Sequence, residues 1–139
     1  MINRLLVGLF TLVLVLGCAS KSIQAPVESD EDKPTIEKKA YKLVSFGHLR
    51  MAVPKKAKIL LQDGTYAGNA GCNGMSGKYD LDENKVKFYS GISTLMACED
   101  MKSETIFRQL LESVDSYELN GNKMTLKSGD KAVLIFMEQ

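Results

Sequence analysis

The chain has 139 residues, 45% hydrophobic and 25% charged, with 18 Lys and Arg against 17 Asp and Glu. That length leaves room for one domain. The even charge argues against a dedicated nucleic-acid binder, and the apolar content argues against a disordered acidic tail. His48 is the single histidine, which rules out a multi-histidine metal site. No metal or cofactor is expected.

Met1-Ile2-Asn3-Arg4 is a short basic start, followed by Leu5 to Leu16, apolar except for Gly8 and Thr11. As a helix this run spans about 18 Å, against about 30 Å for a hydrocarbon core. It therefore reads as a secretory signal rather than a transmembrane span. A core helix is the other reading, but the run is apolar on every side and passes straight into polar sequence.

Val15-Leu16-Gly17-Cys18 closes the run and resembles the bacterial lipobox. The resemblance implies cleavage after Gly17, a diacylglycerol thioether on Cys18 and acylation of the new amino group. The alternative is an ordinary signal peptide with a chance cysteine. Each buried methylene adds about 0.8 kcal/mol of membrane affinity, so two or three chains on Cys18 anchor the protein firmly. Ala19, where an Asp marks inner-membrane retention in enteric-type lipoproteins, favours the outer membrane with the domain in the periplasm. Residues 1–17 are thus expected to be a cleaved signal peptide, and 18–39 a lipid-anchored tether. Mixed charges around Pro26 and Pro34, without a period of 2 or 3.6, support the tether.

A folded domain is expected over 40–139. Tyr41 to Phe46 and Lys58 to Gln62 read as strands, the second closed by Asp63-Gly64, a hairpin signal. Thr65 to Ala70 returns. Gly77 to Asp82 and Lys85 to Phe88 alternate about the turn Glu83-Asn84. Ser116 to Leu119, Lys123 to Lys127 and Ala132 to Met137 are three more strands separated by Gly- and Asn-rich turns. Seven or eight short strands at this spacing predict a small antiparallel barrel or sandwich. Between them, Met101 to Val114 carries Ile106, Phe107, Leu110, Leu111 and Val114 on one helical face, with Glu99, Asp100 and Glu104 near its positive end. That face is expected to pack on the core. A partner-binding amphipathic helix is the alternative.

Gly68-Asn69-Ala70-Gly71-Cys72-Asn73-Gly74-Met75-Ser76-Gly77 holds four glycines and two asparagines in ten residues. Such a run demands unusual backbone angles or close approach. A phosphate-cradling loop is one reading, but no Lys or Ser/Thr follows in P-loop spacing and the flanks read as strands. A second cluster, Ser93-Thr94-Leu95-Met96-Ala97-Cys98, precedes the helix. Together the two resemble the META domain, or HslJ-like, family, whose pattern is G-x-x-G-C-N-x-x-x-G-x-Y followed by T-x-M-A-C and a helix. Gly68, Gly71, Cys72, Asn73, Gly77, Tyr79, Thr94, Met96, Ala97, Cys98, Phe107 and Leu110 occupy those positions. Two departures are Tyr41, where members often carry tryptophan, and Gly74-Met75, where an arginine often follows the asparagine. The resemblance implies a mainly β, lipocalin-like barrel packed with one helix. It also implies an envelope lipoprotein linked to heat shock, stress or antibiotic tolerance, without catalytic activity.

With Cys18 taken by lipid, Cys72 and Cys98 form an even pair in an oxidising compartment. They are expected to bridge, fastening the Gly-rich loop to the segment entering the helix. Two buried free thiols are the alternative.

An enzyme needs a nucleophile, a base and a group to orient the base. His48 sits beside Gly47 in a loop, and Cys72 and Cys98 lack C-x-x-C spacing. Asp80, Asp82 and Glu83 lie at a hairpin without the spacing of an EF-hand. The expectation is therefore a monomeric, non-catalytic outer-membrane lipoprotein that binds an envelope protein or apolar ligand and no nucleic acid. The alternatives are a pilot or chaperone for an outer-membrane or secretion component, and an inhibitor presenting the Gly-rich loop to a hydrolase.

Overall fold

The computed structural model describes residues 35–139. The signal peptide, Cys18 and most of the expected tether lie outside the described residues. Nine strands and one helix follow in order: β1 (Lys39–Ser45), β2 (Lys58–Gln62), β3 (Thr65–Asn69), β4 (Gly74–Asp82), β5 (Lys85–Phe88), β6 (Ile92–Ser93), α1 (Met101–Ser113), β7 (Ser116–Asn120), β8 (Lys123–Ser128) and β9 (Lys131–Glu138).

All pairings are antiparallel. The order β3-β2-β1-β9-β8-β7-β5-β4 closes on itself because β3 also pairs with β4. The result is a ring-like, barrel-like sheet rather than two stacked sheets. Its thinnest joint is β5 to β7. Lys85 is registered against Ser116 there, flanked by Val86 N–H to Asp115 O at 3.2 Å and Tyr117 N–H to Asn84 O at 2.9 Å.

Side-chain alternation along the strands fills the interior. Tyr41 and Leu43 of β1, Ile59 and Leu61 of β2, and Met124 and Leu126 of β8 point inward and are buried. On β9 the rule breaks at adjacent Val133 and Leu134, both buried. The register there pairs Leu126 with Leu134 but Lys127 with Ala132, leaving Val133 as an extra residue. Such a bulge turns two successive side chains to one face. Phe88 meets Tyr66 edge-on and Tyr79 at a tilt, each with ring centroids 5.7 Å away.

The helix packs against β5 and β9. Phe107 meets Phe136 edge-on at 6.2 Å, and Leu111 and Val114 are also buried, with Ile106 and Leu110 packed partly against the core. The apolar face is thus occupied by the protein's own interior, which excludes it as a free partner-binding surface. Ser103 and Glu104 of the first turn are buried as well.

The folded region begins earlier than residue 40. Ile36 is fully buried, Glu37 Oε1 accepts the Tyr79 hydroxyl at 2.8 Å, and β1 starts at Lys39. Sequence concealed this start because one apolar residue among charges has no period. Burial of Ile36 is a tertiary event.

Tyr41 is fully buried, and its hydroxyl has no hydrogen-bond partner among the described residues. Burial above all, with Glu138 and Tyr117 adding repulsion, raises its pKa well above the usual 10.0. A buried hydroxyl without a partner costs about 1–3 kcal/mol. Tyr41→Phe removes that cost at nearly constant shape. The expected outcome is a gain of about 1 kcal/mol, read as a higher denaturation midpoint at unchanged slope.

Candidate functional site

The connection from β3 to β4 runs through the Gly-rich stretch. Asn69 Oδ1 accepts the Gly71 N–H at 2.6 Å, and its amide donates to Cys72 O at 3.2 Å. Gly71 has φ +129, and a Cβ there would come within 2.9 Å of the Pro54 ring. Glycine is therefore required at this position for both reasons. The tight turn delivers Cys72 and Asn73 to the interior.

Asn73 is 2% exposed, and its backbone N–H and both polar atoms of its side chain are engaged. Its backbone N–H donates to Glu104 Oε2 at 2.8 Å. Its side-chain amide donates to Glu104 Oε1 at 3.1 Å and to Met96 O at 3.2 Å. Its Oδ1 accepts from the Thr94 hydroxyl and from Met96 N–H, each at 2.7 Å. Thr94 is tied further by its N–H to Gly74 O at 3.0 Å and by Gly74 N–H to its Oγ1 at 3.2 Å. The asparagine of the first motif and the threonine and methionine of the second thus form one network.

Glu104 completes it from the helix. Asp100 caps α1, its carboxylate accepting Ser103 N–H at 3.1 Å and the Ser103 hydroxyl at 2.6 Å. These bonds, the hydroxyl's first, hold the Asp100 pKa below its usual 3.8. The cap sets where the helix starts and so aims Glu104 inward, 3% exposed, near the positive end of the helix. Sequence reading placed Glu104 in that first turn but missed its pairing with Asn73. An acidic residue in a first helical turn is commonly there for the helix dipole, so its position alone carried no signal for a bond across to the Gly-rich loop.

Cys72 and Cys98 are joined, with Cα atoms 6.1 Å apart and a sequence separation of 26. A bridge closing such a loop contributes about 3.5 kcal/mol on the chain-entropy estimate. The backbone from Ile92 to Met101 is held at β6, Thr94, Met96 and Cys98. Its large apolar side chains nevertheless face solvent: Leu95 is 98% exposed, Ile92 79% and Met96 54%, with Met101 exposed at its end and Tyr89 shortly before it. Sequence reading missed this clustering and the two-residue β6. The run has no period, and apolar residues are by default assigned to the core.

A shallow groove of about 550 Å³ lies beside the loop, lined by residues including Ala67, Ser76, Gly77, Tyr89 and Ile92. Gly77 is needed because a Cβ there would lie 2.6 Å from the Tyr66 ring. Tyr66 in turn donates its hydroxyl to Tyr89 O at 3.0 Å.

Of the residues singled out from sequence, Gly71, Cys72, Asn73, Thr94, Met96 and Cys98 meet in this cluster. Gly68, opposite Ile59 in β3, and Gly77 flank it. Ala97 is exposed between Met96 and Cys98. Tyr79 belongs to the core, bonded to Glu37. His48 is exposed, its Nδ1 3.3 Å from Ala132 O. Among the described residues no group of three His, Cys, Asp or Glu side chains is placed to hold a metal ion.

Two outcomes test this arrangement. Glu104→Ala leaves the Asn73 donors buried without their carboxylate and is expected to cost about 2–3 kcal/mol. Hydrogen exchange should quicken at the Asn73 and Met96 amides before it does in β8. Asp100, with its pKa lowered by folding, stabilises when ionised. That contribution is present above about pH 4 and lost as pH falls through the lowered value. Asp100→Ala should therefore flatten the fall in Tm with acid below that pH while lowering Tm at neutrality.

A sequence model of the META domain matches residues 34–139. No match was found among curated proteins. Three solved structures share the fold. A protein from Burkholderia xenovorans, solved by NMR, is 22% identical over 74% of this chain and 83% of its own, with a TM-score of 0.63. Another NMR structure is 19% identical over 72% and 88%, with a TM-score of 0.56. A DUF4847 family protein from Bacteroides vulgatus is 16% identical over 72% and 92%, with a TM-score of 0.54. The family match spans the whole described region, including the Cys72-Asn73 turn and the Thr94–Cys98 segment that Asn73 joins; this chain belongs to the META domain family.

Proposed function

We propose that this protein is a non-catalytic binding module of the bacterial envelope, held by lipid on Cys18 at the periplasmic face of the outer membrane. Its working surface is the loop from Ile92 to Met101, which receives an apolar segment of another envelope protein. One observation carries the reading: large apolar side chains stand in solvent on a backbone held by a disulfide and a buried hydrogen-bond network. Fully burying a leucine contributes about 1.5–3 kcal/mol, a gain that Leu95, 98% exposed, does not make within its own domain. Clustered exposed apolar residues mark interaction surfaces. Holding them rigidly lowers the entropy lost on binding. The groove between Ala67, Ser76, Tyr89 and Ile92 extends the same surface. Support of envelope integrity under stress or antibiotic exposure is the role this binding would serve.

The test is a photo-crosslinking residue at Leu95 in intact cells, with the same probe at exposed Lys123 as control. A discrete envelope protein captured from position 95 alone is expected. Leu95→Ser with Met96→Ser should weaken binding of that protein about 10- to 100-fold without lowering Tm. Equal capture from both positions, or undiminished binding by the double variant, overturns the reading. Fractionation of Cys18→Ala checks the anchor separately, the expected result being release of the domain from membranes.

A further inference from the structure

Lys42 and Lys58 stand directly opposite each other where β1 pairs with β2, both exposed. Like charges facing across an antiparallel pair repel and weaken the sheet. Just before β2, Pro54–Ala57 forms a turn in which Pro54 O accepts Ala57 N–H at 3.0 Å. Ala57 O accepts Leu43 N–H at 3.0 Å, fastening that turn to β1. Lys55 and Lys56 occupy the two central positions and are exposed. The four lysines line one depression of about 350 Å³ with Ala57, Asn69 and Gln139. Among the described residues, the salt bridges made by lysine involve Lys39 and Lys127, and none of these four.

The floor of the depression is built rather than incidental. Asn69 faces Lys58 in the β2–β3 register, and its amide is clamped by Gly71 N–H and Cys72 O. A side-chain amide has two donor hydrogens, and Cys72 O takes one. The other makes no hydrogen bond among the described residues. Repulsion concentrated at a concave spot is relieved by an anion that touches several ammonium groups at once.

We infer that this depression is a binding site for a phosphate-bearing anion, held by Lys42, Lys55, Lys56 and Lys58 and oriented by Asn69. Lysine meets phosphate as a compact point charge with three donors. A phosphate group, free or as a diester, presents its oxygens tetrahedrally to ammonium groups arriving from two strands and a turn, whereas the two oxygens of a carboxylate lie in one plane. The Gly-rich run alone lacks the lysine of a phosphate loop. The fold supplies it from β1, β2 and the turn packed against Gly71. This site lies apart from the apolar loop and does not depend on what that loop binds. Free phosphate and a phospholipid headgroup share this chemistry, and the experiment separates them.

Full-length protein is titrated with inorganic phosphate while amide resonances are followed by NMR. In parallel, it is sedimented with phosphatidylglycerol vesicles and with phosphatidylcholine vesicles. Any lipid on the chain favours both vesicle types equally, so the difference between them reads the lysines. The K42Q/K55Q/K56Q/K58Q variant is compared with K85Q/K87Q, which removes surface charge elsewhere. Saturable shifts at Lys56, Ala57, Lys58 and Asn69, weakened at least about tenfold in the quadruple variant and unchanged in K85Q/K87Q, establish a site for free phosphate. A phosphatidylglycerol preference lost only in the quadruple variant establishes the headgroup as source, with or without the phosphate response. Shifts spread equally over Lys85, Lys87 and Lys123, or a quadruple variant indistinguishable from wild type in both arms, overturn the site.

Discussion

The side-chain amide of Asn73 joins three segments that sequence keeps apart. Its Oδ1 holds Thr94 and Met96, its Nδ2 holds Met96 and Glu104, and its backbone N–H holds Glu104 again. A buried polar group left without partners costs about 1–3 kcal/mol, so each segment is bound to arrive where Asn73 needs it. The helix must start at Asp100 for Glu104 to reach inward. The Gly-rich turn must close on Pro54 for Asn73 to be inside at all. The disulfide between Cys72 and Cys98 brackets the same junction, adding a covalent link to one already made by hydrogen bonds.

This junction separates two surfaces of opposite character. On one side the loop from Ile92 to Met101 is tied by hydrogen bonds and the disulfide and turns Leu95 and its neighbours outward. On the other, Asn69 of the same Gly-rich run lines the depression ringed by Lys42, Lys55, Lys56 and Lys58. Apolar exposure and clustered like charge are both unfavourable for an isolated domain. The hydrogen bonds and disulfide of the junction between them fix the backbone that carries both.

The β framework was legible from the chain. Strict alternation in Lys85–Phe88 and Lys123–Lys127, together with the turn residues between strands, located those strands to within a residue or so. The helix likewise appeared from Ile106, Phe107, Leu110, Leu111 and Val114, which share one face. Less visible were short or aperiodic elements. Ile92–Ser93 is a strand only because Met75 and Ser76 pair with it. Ile36 belongs to the core only because the ring has room for it. The cysteine bridge was anticipated from compartment and pairing logic rather than from spacing, and the alternative of two free thiols is overturned.

Periodicity and turn chemistry are local properties, so sequence alone determined a mainly antiparallel β domain with one amphipathic helix and a Gly-Cys-Asn turn near its centre. The closure of β3 on β4, the burial of Glu104 against Asn73 and the meeting of four lysines in one depression are long-range events. They depend on which distant segments come to share a wall. No window of the chain encodes that, because a carboxylate bound for a buried amide and one bound for solvent occupy the same kind of helical position until the strands close around one of them.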